Sequence, residues 1–365
     1  MRRESLTRSG SLTRRGYLAV AGAGGFGVLA GCISSVGSSS SNDDTLRIGA
    51  ADSYVNAVST SAGDWIKKEF EKQYDGVTLK WVVKENEVNE FIQRRKGDAP
   101  LKADGYVGVT PTDLVRAERV LGDDTDLFEK YGNVDTSNVV DDYWFDPKKR
   151  VVPTGSSYVC IVYDGTKIEE PESFDALLRD EYENGLLLAN PQTTVTGLDF
   201  LLWTISAKGQ KNYLDYWKQL LANGVRVVKS WNTAYSAFES GEAPMVVSYS
   251  TDQIYAVDEG KSIEKHRIAF PNDEGYAYVS GLGKFATTDR DDLFAKFARF
   301  LLTPRVQRRT AVLNVGIPAV KNASLPKKYR SYAKEPDSIV QYSTDELRKH
   351  ASEWRSTWAR QVASG

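Results

Sequence analysis

Short apolar segments alternate with helix-forming segments along the first third of the chain, and this alternation constrains the fold most strongly. Residues 46–50, 77–83 and 103–109 each have the length and apolar content of a buried strand. Between them, 61–74 has an apolar stripe at helical spacing and 85–96 is a charged segment of helical length. Strands that alternate with helices form parallel sheets covered by helices, so the sequence predicts an α/β fold.

Two longer β-forming segments, 151–163 and 276–286, enclose a second region of the same kind. Within that region, residues 186–189, 225–228 and 245–249 have the composition of buried strands, and helix-forming segments separate them. We therefore predict that the chain forms two lobes and that the two long segments are strands crossing between them.

These crossings make both lobes discontinuous in sequence. We expect the first lobe to comprise residues 45–157 together with about 280–320, and the second lobe to comprise 158–279. Helices within 321–365 are expected to pack across both lobes. A capping box at Ser343 and Glu346 marks the start of the last helix.

The composition excludes several classes of function. A formal charge of −2 over 365 residues provides no electrostatic basis for binding nucleic acid. Two cysteines cannot build a disulfide framework, and two histidines far apart in sequence do not form the ligand pattern of a zinc site. We expect no cofactor and no metal, and we expect the protein to be a monomer.

The first 31 residues have the pattern of an export signal. Arg14 and Arg15 form a twin-arginine pair before an apolar run at 17–30, which is too short to span a membrane comfortably. The run ends in Leu-Ala-Gly-Cys32, which resembles the lipobox of prokaryotic lipoproteins, so Cys32 is the predicted lipidation site. A Ser/Gly-rich tether follows, within residues 32–44.

An uncleaved helical anchor is the alternative interpretation of this segment, and either interpretation places residues 45–365 outside the cytoplasmic membrane. Residues 22–27 also match the G-x-G-x-x-G dinucleotide pattern. Such a site requires a preceding strand and a surrounding βαβ unit, which an export signal lacks. We therefore reject a dinucleotide site.

Hydroxyl, acidic and aromatic residues follow the predicted strands. In an open α/β sheet, ligands bind outside the carboxyl ends of the strands, so these residues are the candidate ligand site. Each one alone is also explained as a core aromatic residue or, for the threonines, as a helix cap. The candidate set is Asp52, Ser53, Tyr54, Thr110, Thr193, Thr194, Trp231, Tyr235, Tyr249, Asp252 and Tyr255.

Catalytic motifs are missing from the sequence. It contains no G-x-S-x-G, H-E-x-x-H or C-x-x-C, and no pair of carboxylates has a spacing that singles it out as an acid/base pair. An exported two-lobed α/β protein without a catalytic group is expected to capture a small molecule rather than convert one.

Three motifs resemble the thiamine-binding proteins of prokaryotic ABC importers. They are Asn-Pro-Gln-Thr-Thr-Val-Thr-Gly at 190–197, Lys-Ser-Trp at 229–231 followed by Ala-Tyr at 234–235, and Ser-Tyr-x-Thr at 248–251 followed by Tyr255. The similarity covers most of residues 45–360. It implies a two-lobed type II periplasmic-binding-protein fold with a ligand cleft between the lobes.

The resemblance also implies a ligand, thiamine or a phosphorylated form, and delivery to a membrane permease. It places Trp231 and Tyr255 against the ligand rings, Tyr249 and Thr194 as polar partners, and Asp52 near the first strand. Aromatic faces and a carboxylate suit the thiazolium cation of thiamine.

The sequence differs from that family at two positions. Thr110 stands where the family has an acid after the third strand, and Val315 stands where it has a tryptophan. Asp252 is a hypothetical substitute for the missing charge.

Three alternatives stay open from sequence. The ligand can be another organic cation, an organophosphonate or ferric iron, although the chain lacks the adjacent tyrosines typical of ferric-ion relatives. The protein can also be an extracytoplasmic enzyme on the same fold, or a surface protein without a small ligand.

Overall fold

The short apolar segments of the sequence form two sets of parallel strands. Continuous apolar sequence suits such strands, because helices bury them on both faces. The computed structural model describes residues 44–122 and 124–362, and Asp44–Gly365 forms one compact unit. The predicted export segment, Cys32 and the tether up to Asp43 lie outside the described residues.

Strands and α-helices alternate along the described residues. The strands are β1 Thr45–Ala50, β2 Thr78–Val83, β3 Gly105–Val109, β4 Phe128–Glu129, β5 Val151–Tyr163, β6 Leu186–Ala189, β7 Arg226–Val228, β8 Met245–Tyr249, β9 Arg267–Ala269, β10 Glu274–Phe285, β11 Ile317–Pro318 and β12 Ser338–Val340. The helices are α1 Asp52–Asn56, α2 Gly63–Gln73, α3 Glu87–Lys96, α4 Pro111–Leu121, α5 Val195–Lys208, α6 Tyr213–Ala222, α7 Trp231–Ser240, α8 Asp252–Asp258, α9 Asp291–Leu301, α10 Pro304–Leu313 and α11 Thr344–Gln361.

The main sheet has the strand order β2-β1-β3-β10-β5-β8-β6-β7. Strands β1, β2 and β3 are mutually parallel, and so are β6, β7 and β8. The two long strands β5 and β10 lie between these sets, antiparallel to each other and to their outer neighbours. They are the two segments predicted to cross. We call β1–β4 with α1–α4 and α9 the β1 side, and β6–β8 with α5–α8 the β6 side.

Helices cover both faces of the β1 side. On one face, Phe70 of α2 and Phe294 and Phe297 of α9 pack on Leu46 and Ile48 of β1. The opposite face is covered by α3 and α4, and its core contains the next set of buried apolar side chains, including Val88, Phe91, Tyr106 and Leu114. This is the layered α/β arrangement expected from the alternation.

The β6 side is built in the same way. Helix α5 is apolar all round and buried along most of its length, because α6 and α11 cover it. Gly197 is required there, since a Cβ at this position would lie 2.1 Å from the carbonyl oxygen of Ala189. The last helix, α11, buries Trp354 and Trp358 in this core and also contacts α4 of the β1 side.

Three details differ from the sequence-based expectation. Short helices α1 and α8, which were not predicted individually, begin soon after β1 and β8, because a helix satisfies the backbone polar groups that follow a buried strand. Helix α10, which is rich in arginine and buries Val306, Ala311 and Val312, was not predicted. Among the described residues after 320, α11 is the single α-helix.

No helix in the described part of the chain combines the length and the apolarity needed to cross a membrane.

Candidate ligand-binding site

A cavity of about 170 Å³ lies where the β1 side and the β6 side meet over the long strands. Its walls come from the segments that follow β1, β6, β7 and β8, and from β3, β5 and β10. The side chains that line it include Asp52, Ser53, Tyr54, Glu87, Tyr106, Ser156, Ser157, Thr194, Thr196, Trp231, Asn232, Ser248, Tyr249, Asp252, Tyr278, Ser280 and Val315.

Contacts between the two sides close over the mouth of this cavity. The side-chain amide of Asn232 donates to Asp52 Oδ2 at 2.8 Å, and its carbonyl oxygen accepts from the backbone N–H of Val58 at 3.3 Å. The exposed ion pair between Lys229 and Glu85 also joins the two sides. Side-chain contacts therefore join the two sides beside the cavity, and Asp52 serves as a bridge.

A stack of three aromatic rings forms the wall on the β6 side. Trp231 is the first residue of α7, where Ser230 caps the helix. Its ring stacks on Tyr235 with centroids 4.6 Å apart, and Tyr255 meets Tyr235 edge-on behind it. The indole N–H donates to Ser248 Oγ at 3.3 Å. Of these three rings, only that of Trp231 lines the cavity, and the two tyrosines support it from behind.

Both oxygens of the Asp252 carboxylate contact residues of the protein in and behind this aromatic wall. Asp252 is 4% exposed, and its Oδ1 accepts a hydrogen bond of 2.5 Å from the Tyr235 hydroxyl. Its Oδ2 lies 2.7 Å from Nδ1 of the buried His266. Both carboxylate oxygens thus have protein partners, so Asp252 orients the ring beneath Trp231 and has limited capacity to bind a ligand directly.

The threonine-rich turn after β6 forms the N-terminus of α5. Thr194 caps the helix, because its Oγ1 accepts from the backbone N–H of Gly197 and donates to the carbonyl oxygen of Asn190. Thr196 Oγ1 and the Tyr249 hydroxyl lie 2.8 Å apart in the cavity wall. The N-termini of α5 and α7 both reach the cavity, which provides backbone N–H groups for a polar or anionic ligand group.

A group of ionisable residues lies behind the wall on the β1 side. Glu87 reaches the cavity from the first turn of α3. Burial, together with the nearby Asp113 carboxyl, raises the pKa of Glu87 to about 7, while Arg116 acts in the opposite direction. Burial also raises the pKa of Asp113. The protein thus holds an acidic group at the cavity whose charge changes near neutral pH.

The candidates from sequence fall into three groups. Those that line the cavity are Asp52, Ser53, Tyr54, Thr194, Trp231, Tyr249 and Asp252. Tyr235 and Tyr255 lie in the core directly behind Trp231. Thr110 and Thr193 do not line the cavity, because Thr110 is buried in a capping box with Asp113 at the start of α4 and Thr193 is exposed on the turn before α5.

The cavity also contains residues that were not predicted. Thr196 and Ser248 belong to the motifs quoted above. Their position after or within a strand could therefore have predicted that they line the site. Tyr278 lies on the crossing strand β10 and Glu87 in a charged helical segment. Neither has a local pattern that distinguishes it from a core tyrosine or a solvated helix residue.

The described ranges, 44–122 and 124–362, contain no group of three or more His, Cys, Asp or Glu side chains placed to hold a metal ion.

Two α/β sides joined by crossing strands, with a polar and aromatic cavity between them, define a solute-binding protein of the two-lobed type II class. A family model described as bacterial extracellular solute-binding protein matches residues 65–336. The chain belongs to this family. Its members capture solutes, and the relatives and structures it matches are binding proteins, so the chain is a binding protein and not an enzyme.

Individual relatives and structures agree with this class. The thiamine-binding periplasmic protein of Salmonella typhimurium is 28% identical over 308 residues, covering 83% of this chain and 90% of that protein. Its Escherichia coli counterpart is 28% identical over 312 residues, with the same coverage of 83% and 90%.

Solved structures show the same fold. A periplasmic thiamin binding protein superposes with a TM-score of 0.76 at 26% identity, covering 87% of this chain and 96% of its own. A ferric binding protein from Campylobacter jejuni, at 17% identity and a TM-score of 0.69, covers 86% of this chain and 98% of its own and shares the fold.

Proposed function

We propose that this protein captures thiamine outside the cytoplasmic membrane and delivers it to the permease of an ABC importer. The observation that carries the proposal is the cavity between the two sides, which is lined by the Trp231 ring from the β6 side and by the Asp52 and Glu87 carboxylates from the β1 side. The named thiamine-binding relatives, which align with 83% of the chain, support the same ligand.

The chemistry of thiamine suits these walls. Its aminopyrimidine ring is flat and carries donors and acceptors, which match the face of Trp231 and the hydroxyls of Thr196 and Tyr249. Its thiazolium is a cation, which is attracted by aromatic faces and by a carboxylate. Seven of the predicted site residues line this cavity, and Tyr235 and Tyr255 would contribute by supporting Trp231.

A phosphorylated form of thiamine is the second candidate ligand. The N-termini of α5 and α7 both lie at the cavity, and the helix dipole with its free N–H groups favours a phosphate there. Val315, which stands where the resembling family has a tryptophan, lines the same cavity.

Capture by two lobes requires that they open and close. We propose that residues 45–157 with about 280–320 form one lobe and 158–279 the other, with the segment 321–365 packing across them. The crossing strands β5 and β10 are the natural hinge, since they join both sides. The contacts of α11 with α4 and α5 support its position across the lobes.

Export and anchoring complete the proposed function. The twin-arginine segment 1–31 would direct the folded chain out of the cell, and Cys32 would carry the lipid that tethers a monomeric binding protein to the membrane. Mass spectrometry of the membrane-extracted protein tests this point. A chain that begins at a diacylated Cys32 supports it, and an unmodified Cys32 rejects it.

Isothermal titration of the compact unit Asp44–Gly365 with thiamine tests the ligand. We expect one site with a Kd in the micromolar range or below, equivalent to about −8 kcal/mol or more favourable. Thiamine phosphates and ferric citrate, titrated in parallel, separate the alternatives. No heat and no thermal shift at millimolar thiamine would reject the assignment.

A further inference from the structure

Three carboxylates reach the cavity, and they differ in what already binds them. Asp52 accepts hydrogen bonds from the side-chain amides of Asn56 and Asn232. Asp252 is bonded to Tyr235 and lies beside His266. Glu87 has no hydrogen bond or ion pair through its carboxylate to any residue within 44–122 or 124–362. A partly buried carboxylate without a hydrogen bond or a salt bridge is unfavourable unless a ligand partners it.

The backbone at Glu87 adds a second observation. Its φ is +49°, in the left-handed region that a residue with a Cβ rarely adopts. Such strained positions concentrate at ligand-binding sites, where the surrounding structure enforces them. Here the strain lies at the first residue of α3, so it determines where the Glu87 side chain leaves the helix.

We infer that the Glu87 carboxylate is the counterion of the ligand's cationic ring and the residue that selects a cation over a neutral solute of the same shape. This inference rests on the proposed function, because it assigns a role within the same cavity. Thr110 stands where the family has an acid, and Asp252 was the hypothetical substitute for that negative charge. Because both oxygens of Asp252 are already bonded, we assign the charge to Glu87 instead.

The groups around Glu87 determine how its charge responds to pH. Its ionisable neighbours on the packed elements are Asp52 on α1, Asp113 and Arg116 on α4, Tyr106 on β3, Tyr249 on β8 and Tyr278 on β10. Two acids and burial oppose ionisation and one arginine favours it, which leaves the pKa of Glu87 at about 7 in the empty protein. A bound cation favours the ionised form, so binding releases a proton at and below this pH.

Isothermal titration of the wild type and Glu87→Gln with two ligands tests the assignment. The ligands are thiamine and 3-deazathiamine, the neutral analogue in which carbon replaces the charged thiazolium nitrogen. We expect wild-type affinity for thiamine to fall about tenfold between pH 8 and about pH 6, as the ionised fraction of Glu87 falls. Glu87→Gln should bind thiamine at least about tenfold more weakly at about pH 8, without that pH dependence, and bind 3-deazathiamine as the wild type does.

Glu90→Gln is the matched control, because Glu90 lies on the same helix but pairs with Arg94. It should leave both affinities and the pH profile unchanged. If Glu87→Gln matches the wild type in thiamine affinity and pH profile, the inference is wrong while the proposed function stands. If the wild type binds no thiamine, the proposed function and this inference are both overturned.

Thermal unfolding without ligand measures the effect of Glu87 on protein stability and does not depend on thiamine or its analogue. The pKa of Glu87 is raised in the folded protein, so the wild type loses stability as the pH rises from about 4.3, where a free Glu ionises, to about 7. Glu87→Gln avoids this loss and should be the more stable protein at about pH 8, with the difference shrinking toward about pH 5. A Glu87→Gln protein that is less stable than the wild type at about pH 8 would show that Glu87 is paired within the protein, which contradicts the inference.

Discussion

Truncation of Trp231 tests whether the aromatic wall holds the ligand. One face of the indole stacks on Tyr235 at 4.6 Å and an interplanar angle of 23°, and the residue lines the cavity. Trp231→Ala removes that stacked pair, which costs folding about 1 kcal/mol. It also removes the face on which the aminopyrimidine ring of the ligand would stack, worth about 1 kcal/mol or more, so the Kd should rise about fivefold or more.

Isothermal titration with thiamine, combined with thermal unfolding of each variant, measures both effects. Trp231→Phe retains a ring above Tyr235 and should lose less affinity than Trp231→Ala, although it lacks the N–H that bonds Ser248. Trp144→Ala controls for the loss of a tryptophan outside the cavity, where the ring contacts Lys149. A Kd for Trp231→Ala within about twofold of the wild type would refute the role of this ring.

Two further substitutions test the framework that positions the site. Gly197→Ala places a methyl group 2.1 Å from the Ala189 carbonyl oxygen and should lower the free energy of unfolding by about 1–3 kcal/mol while weakening thiamine binding. Gly132→Ala, whose Cβ meets open space, should leave both unchanged in the same denaturant titration. Arg150→Met removes the buried partner of Glu118, Asp126 and the fully buried Asp146 and should cost about 3 kcal/mol or more in urea unfolding. If Gly197→Ala or Arg150→Met unfolds at the same denaturant concentration as the wild type, the expectation for that variant is wrong.

Sequence patterns predicted the framework well, because strands buried on both faces and amphipathic helices have distinct periodicities. Strands β1, β2, β3, β6, β7 and β8 and the two long strands appear within a few residues of their expected positions. The capping roles of Thr110 and Ser343 also appear as their local sequences indicate. These features depend on short-range interactions, which a single sequence displays directly.

The composition of the cavity was less predictable, because it depends on side chains that meet across the sheet. Trp231 and Tyr235 both follow β7, but only the stacked geometry separates the ring at the surface from the ring behind it. Asp252 was a reasonable substitute for the missing acid until its bond to Tyr235 and its contact with His266 were known. Glu87 lies in a charged segment and acquires its special environment only through tertiary packing against α4.

The bonds across the mouth affect how fast a bound solute leaves the cavity. Asn232 bridges to Asp52 and Val58 through opposite ends of one amide. Residence times of complexes vary far more than their association rates, so the breaking of such bonds can govern escape. A transporter that competed for the Asn232 amide would therefore shorten the dwell time of the cargo without altering the groups that recognise it.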